Sequence, residues 1–302
     1  MLKQPTRPPQ RRRRFEHRLH PNGDGHQLEW MQVAPSRSRG TLFAPPLVGG
    51  DGLLTIRYLR PFRSRGYSLM SFNYSGHGRS SRPFSIRQSF RDTHCLLALA
   101  RQRPEHFPRP LYGVGICYAA IPLLHTLHYT GEPLPQLVLI NAIPRLFSRH
   151  LLHSFWDFRR RLQAENWSSG HLGAQLRRYT EFLLPGLTIN RTQFGLLAMR
   201  RIRLLQTLMD WLASRQLRSV RLARTKVLCL YSREDRIFRA FRYFDHPRDY
   251  EAAIRKICPG AQFVRLAGDH FLSSPHERWQ ALRAMTNFFD AHDREATRRA
   301  AA

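Results

Sequence analysis

Four short apolar runs, Ser68–Phe72, Leu111–Val114, Leu137–Ile140 and Val227–Tyr231, constrain the architecture more than any other feature of the chain. Each is too short for a buried helix and apolar almost throughout, as expected of strands covered on both faces. A fifth, Gln262–Leu266, follows near the end. Between them stand stretches of helical character: Leu53–Arg63, Ser89–Arg101, the segment from Cys117 to about Tyr129, and Asp249–Cys258, with Pro275–Asp290 closing the series. Strand and helix in alternation predict an α/β fold, a mostly parallel sheet with helices on both faces. Upstream, Phe15–Leu19 and Gln27–Val33 flank Asn22-Gly23-Asp24-Gly25, a turn rich in residues that accept positive φ. This predicts an antiparallel hairpin added at one sheet edge. Thr41–Ala44 reads as a further short strand, ending at Pro45-Pro46.

One stretch breaks the alternation. Residues 145–224 contain no strand pattern, but Ala198, Ile202, Leu205, Met209 and Leu212 recur with helical spacing, and Trp156, Trp167, Tyr179 and Phe182 make the stretch aromatic. It reads as a helical cap inserted between two sheet strands. The expected layout is a basic disordered tail over 1–13, a core over 14–144, the cap over 145–224, the rest of the core over 225–292 and a disordered tail over 293–302.

The chain of 302 residues carries a formal net charge of +28, and lysine appears only as Lys3, Lys226 and Lys256 among its 49 basic residues. Such an arginine excess fits either a compositional bias or a surface that attracts phosphates and acidic carriers. Its spread along the whole chain gives no ground for specific nucleic-acid binding. No run of about 18 apolar residues exists, so no transmembrane segment is expected. Cys95, Cys117, Cys229 and Cys258 show no paired or zinc-like spacing, which fits a reduced, cytoplasmic setting. His125 and His128 lie at i, i+3 on a helix, but no acidic partner stands near them in sequence, and neither a metal nor a cofactor is expected.

The chemistry concentrates at Leu111-Tyr112-Gly113-Val114-Gly115-Ile116-Cys117-Tyr118-Ala119-Ala120. A strand runs through small-x-nucleophile-x-small into a helix. The sharp turn puts Cys117 in strained geometry, and the helix N-terminus favours a thiolate and a developing oxyanion. Downstream, Asp235 follows one strand and His270 follows the last. A carboxylate there can orient an imidazole that reaches back to the sulfur.

The order nucleophile, acid, histidine, together with Tyr74-Ser75-Gly76-His77-Gly78-Arg79-Ser80, resembles the α/β hydrolases from about Phe15 to Asp290. The Gly-x-Cys-x-small elbow is similar to that of polyhydroxyalkanoate synthases and dienelactone hydrolases, and the capped layout to lipid acyl hydrolases and acyl-carrier thioesterases. The resemblance implies a Cys117–His270–Asp235 triad. It also implies an acyl hydrolase or acyltransferase of thioesterase type that acts through an acyl-cysteine, on a small or carrier-bound substrate such as acyl-CoA or an acyl carrier protein. The family's other acid position, after Leu137–Ile140, carries Asn141. Backbone N–H groups of Tyr118 and of Leu47 or Val48 are the expected oxyanion donors, and Trp156 and Phe182 the expected substrate contacts. The sequence departs from the family at Pro46-Leu47, where His-Gly is usual, and at Ala119-Ala120, where glycines are common. A binding or scaffold protein that kept the fold without the chemistry is the competing reading.

Overall fold

The computed structural model describes residues 14–22, 24–47, 50–143, 206, 209–210, 220–232, 235, 238, 247–270, 272 and 274–301. Eight strands form one sheet: β1 (Arg14–Pro21), β2 (Gln27–Ala34), β3 (Gly40–Phe43), β4 (Tyr67–Phe72), β5 (Leu111–Ile116), β6 (Gln136–Ile140), β7 (Lys226–Ser232) and β8 (Gln262–Leu266). Their order is β1-β2-β4-β3-β5-β6-β7-β8. The β1–β2 and β2–β4 pairs are antiparallel and every other pair is parallel. The hairpin expected at one edge is there, its turn held by Asn22 Oδ1 accepting from the Asp24 and His26 N–H groups.

Five helices complete the described core: α1 (Gly52–Ser64), α2 (Ile86–Gln102), α3 (Ala120–Thr130), α4 (Pro247–Ile257) and α5 (Pro275–Ala301). The strands read as apolar throughout are the central ones, and every residue of β4, β5 and β6 is buried. Two apolar layers account for this. Phe90, Leu97, Leu123, Leu127, Tyr250 and Ile254 bring α2, α3 and α4 onto one face. Ile56, Phe62, Met285 and Phe289 bring α1 and α5 onto the other. Burial of each such side chain contributes about 1.5–3 kcal/mol.

The last helix corrects the expected layout. It continues past Asp290 to Ala301, through most of the stretch expected to be a tail. Asp293 accepts hydrogen bonds from Tyr112 Oη (2.5 Å) on β5, from Tyr67 Oη (3.3 Å) on β4 and from Arg39 (2.6 Å). A polar, Arg- and Ala-rich end looks like a tail by composition, yet alanine and arginine are strong helix formers. The buried tyrosines also need an acceptor. Asp293→Ala should therefore lower the free energy of unfolding by about 1–3 kcal/mol through the stranded Tyr112 hydroxyl. Chemical denaturation checks this, and an unchanged midpoint would mean that the end of α5 is not anchored.

Candidate active site

The elbow follows from one steric fact. A Cβ on Gly115 would lie 2.9 Å from the Ala120 Cα, so β5 and the start of α3 approach as closely as backbone allows. Ala120 is the residue that meets Gly115, while Ala119 is wholly buried beside it. The chain turns through a single 3-10 turn, Cys117–Ala119, and continues directly into α3. Cys117 takes φ = 51°, a conformation that costs a side-chain-bearing residue of order 1–3 kcal/mol. Its sulfur is thereby presented at the carboxyl ends of the parallel strands, partly exposed.

Asp235 and His270 arrive there from the ends of β7 and β8. Asp235 is 2% and His270 4% exposed, and Asp235 Oδ2 lies 2.6 Å from His270 Nδ1. Asp235 Oδ1 accepts from the Phe238 N–H (3.0 Å), which fixes the carboxylate, and the Phe238 ring stands edge-on to the imidazole. Burial alone would pull the His270 pKa down. The Asp235 carboxylate, and after it the nearby Cys117, outweigh it and raise the pKa well above the ordinary value. The geometry thus joins the three residues singled out in the sequence and favours the imidazolium. The other thiols differ: burial pushes Cys95 up to about 11 and Cys229 and Cys258 up to about 12.

Leu47 lines a small cavity of about 50 Å³ with Pro45, Gly50, Leu54, Tyr58, Ile116 and His270, so the loop after β3 does border the site. Tyr118 is buried, with its hydroxyl 2.7 Å from Ser89 Oγ on α2, and its N–H belongs to the first turn after the elbow, where helices leave donors without intrahelical partners. Val48, Trp156 and Phe182 lie outside the described residues. Of the stretch read as a cap, Asp210 is described. Its carboxylate accepts from the Arg87 N–H (2.9 Å) in the first turn of α2, and it is close enough to Tyr118 to act on the phenol's charge. His125 stacks on Phe90, 4.3 Å between ring centroids, and burial, then His128, pushes its pKa down to about 4. Among the described residues no group of three potential metal ligands occurs.

Sequence reasoning missed the brace behind the Leu47 loop. Asn73, just beyond β4, accepts the Gly52 N–H on Oδ1 (2.8 Å) and donates to Glu29 Oε2 (2.6 Å). Glu29 Oε2 also accepts from the Arg79 N–H (2.7 Å). Burial raises the Glu29 pKa, but these donors and His17 prevail and lower it. Gly78 at φ = 51° leaves the room, since a Cβ there would fall 2.2 Å from Asn73 Nδ2. Glu29 and Asn73 are 44 residues apart, and no local pattern marks the pair.

If close packing makes the elbow, Gly115→Ala should cost about 1–3 kcal/mol of stability, as overpacking does, and displace Cys117. Thermal unfolding together with the rate of Cys117 alkylation tests this. Wild-type values of both would remove the steric account.

No family model and no curated protein sequence matches the chain. Solved structures do. DcsB, solved with its substrate analogue, superposes with a TM-score of 0.65 at 14% identity over 92% of this chain and 99% of that one. A thermostable carboxyl esterase from Bacillus coagulans gives 0.65 at 11% identity over 92% and 98%. The thioesterase domain from the curacin biosynthetic pathway gives 0.50 at 16% identity over 91% and 99%. With this sheet order, a strained elbow after β5 and an acid and histidine after β7 and β8, the chain has the α/β-hydrolase fold.

Proposed function

We propose that the chain is an acyl thioester hydrolase or acyltransferase in which Cys117 is the nucleophile, His270 its acid–base partner and Asp235 the residue that orients the imidazole. The observation that carries this reading is the buried Asp235–His270 pair, 2.6 Å apart, facing a cysteine held at φ = 51°. Esterases and a thioesterase among the structural neighbours support it.

The raised His270 pKa sets out the steps. His270 Nε2 takes the proton from the Cys117 thiol as the sulfur attacks. The thiolate attacks an acyl carbonyl. The N–H of Tyr118 and a donor from the Leu47–Val48 loop take up the oxyanion charge. The adduct then collapses, the carbonyl re-forms, and His270 gives its proton to the leaving group. Acylation removes the sulfur's negative charge, and with it one of the influences that raise the His270 pKa. The imidazole can then serve as base for water or another acceptor. Sulfur also selects the substrate. Thiolate leaves more readily than alkoxide, so an ester adduct tends to fall back, whereas a thioester matches its two leaving groups.

Residues 145–224 complete the site in this reading as a cap, with Trp156 and Phe182 against the acyl chain. Asp210 supports this reading, since its carboxylate accepts from the Arg87 N–H at the start of α2 and acts on the charge of the Tyr118 phenol. The arginine excess, Arg177 and Arg178 of the cap included, suits the phosphates of a carrier-linked substrate. Among the described residues no helix is long and apolar enough to cross a membrane.

Incubation with a panel of acyl thioesters and esters should yield an acyl-enzyme by intact mass, thioesters reacting faster. Cys117→Ala and His270→Ala should each abolish turnover, and Asp235→Asn should cost roughly 10⁴-fold in kcat. Turnover by Cys117→Ala, or no acylation from any donor, would remove the enzyme reading in favour of a binding or scaffold role. Asp235→Asn should also move the alkaline limb of the kcat/KM profile to lower pH, because the imidazolium loses the charge that sustains it. An unmoved limb would mean that Asp235 does not hold the proton on His270. Salt should raise KM for a carrier-linked thioester but not for a small neutral one with the same acyl chain, the Debye length being about 8 Å at physiological ionic strength. Equal salt sensitivity would leave the arginines with no part in recognition.

A further inference from the structure

We propose that Asn141 is the positioning residue of this site: its side-chain amide ties the end of β7, which leads to Asp235, to the His270 loop and so sets where the imidazole stands over Cys117. The inference rests on the triad reading above. Asn141 occupies the first position after β6, between the strands that deliver the nucleophile and the acid. It is fully buried and takes φ = 42°. That left-handed conformation is one that asparagine tolerates better than most side-chain-bearing residues.

Both ends of its amide are used. Oδ1 accepts from the Ser232 N–H (2.7 Å), three residues before Asp235. Nδ2 donates to the carbonyl of His270 itself (2.7 Å) and lies 3.1 Å from Ser232 Oγ. The backbone N–H of Asn141 donates to the Leu230 carbonyl on β7 (2.8 Å). Two residues on, the Ile143 N–H donates to the carbonyl of Cys117 (3.1 Å). Two residues of one short segment, Asn141 and Ile143, therefore hold the backbone of Cys117, the approach to the acid and the histidine. A carboxylate in place of the amide could not donate to the His270 carbonyl. This gives asparagine a physical reason at a position that offers no acid here.

Loops are soft, and a proton-transfer pair tolerates little displacement: about 1 Å of misplacement can cost 10²-fold in rate. In a fully buried position water cannot replace the lost partner. Two variants test the role. Asn141→Gly removes the amide and accepts the left-handed backbone without strain. Asn141→Asp keeps the shape and the acceptor but replaces the donor. Each is compared with wild type for kcat and KM on a thioester, for alkylation of Cys117 by iodoacetamide, and for thermal stability.

The expected result is a fall in kcat of about 10²-fold with KM within about threefold of wild type. Alkylation should slow as well, since the imidazole no longer takes the thiol proton in place. A role confined to stability predicts a lower melting temperature with wild-type kcat and alkylation per folded molecule, and that result overturns the proposal. If Asn141→Gly does not fold, the near-isosteric Asn141→Asp decides by the same two readouts. Alkylation needs no acyl substrate. A wild type that forms no acyl-enzyme, while the variants still alkylate more slowly, would sink the thioester reading and leave the Asn141 clamp standing. Equal alkylation in all three sinks the clamp whatever the substrate data.

Discussion

The close approach of β5 to α3 is the constraint on which the rest of the site depends. With no Cβ at Gly115 and only a methyl at Ala120, strand and helix meet backbone to backbone, and the connection between them has no length to spare. The turn must then pass through a left-handed residue, and that residue is Cys117. Its position at the centre of the sheet means that neighbouring strands on both sides can send loops to it. The loop after β3 brings Leu47, those after β7 and β8 bring Asp235 and His270, and the residues after β6 hold the assembly from beneath. Packing fixes where the sulfur stands, and hydrogen bonds bring the other groups to it.

Electrostatics supply what packing cannot. A buried imidazole alone would stay neutral. Next to Asp235 and Cys117 its proton is held, and the Asp235–His270 pair lies where water is largely excluded. Breaking such a buried set costs more than forming it gains, because any member left alone is a desolvated charge. A second polar cluster, Glu29 with Asn73 and the Arg79 N–H, plays a different part. It carries no chemistry and fixes the end of β4 against the start of α1, where the loop bordering His270 ends.

How much of this the sequence discloses depends on how local each cause is. The apolar runs of β4, β5 and β6 announce strands buried on both faces because the cause, burial, acts on each residue separately. Cys117, Asp235 and His270 stand out in the sequence because each follows a readable strand, and the structure brings the last two within 2.6 Å. At Asn141 the sequence shows only that a carboxylate is lacking, because the use of both ends of its amide depends on residues 91 and 129 positions away. The length of α5 was hidden for a similar reason: what holds its end, Tyr112 and Tyr67, lies on strands far upstream. Trp156 and Phe182, read as contacts of the acyl chain, fall outside the described residues, so their role rests on the sequence alone.

The contrast among the four cysteines reaches beyond catalysis. Burial keeps Cys95, Cys229 and Cys258 in the thiol form far above neutral pH, and Cys229 and Cys258 are walled off from solvent as well. Cys117 alone is both reachable and set against a proton acceptor. Among its four cysteines the protein therefore presents Cys117 to thiol-directed oxidants and electrophiles. The first step of oxidation at that sulfur would convert the nucleophile to a sulfenic acid, reversible while thiols are at hand and permanent once it proceeds further. Among the four cysteines, the exposure that would admit a substrate to Cys117 would admit an oxidant as well.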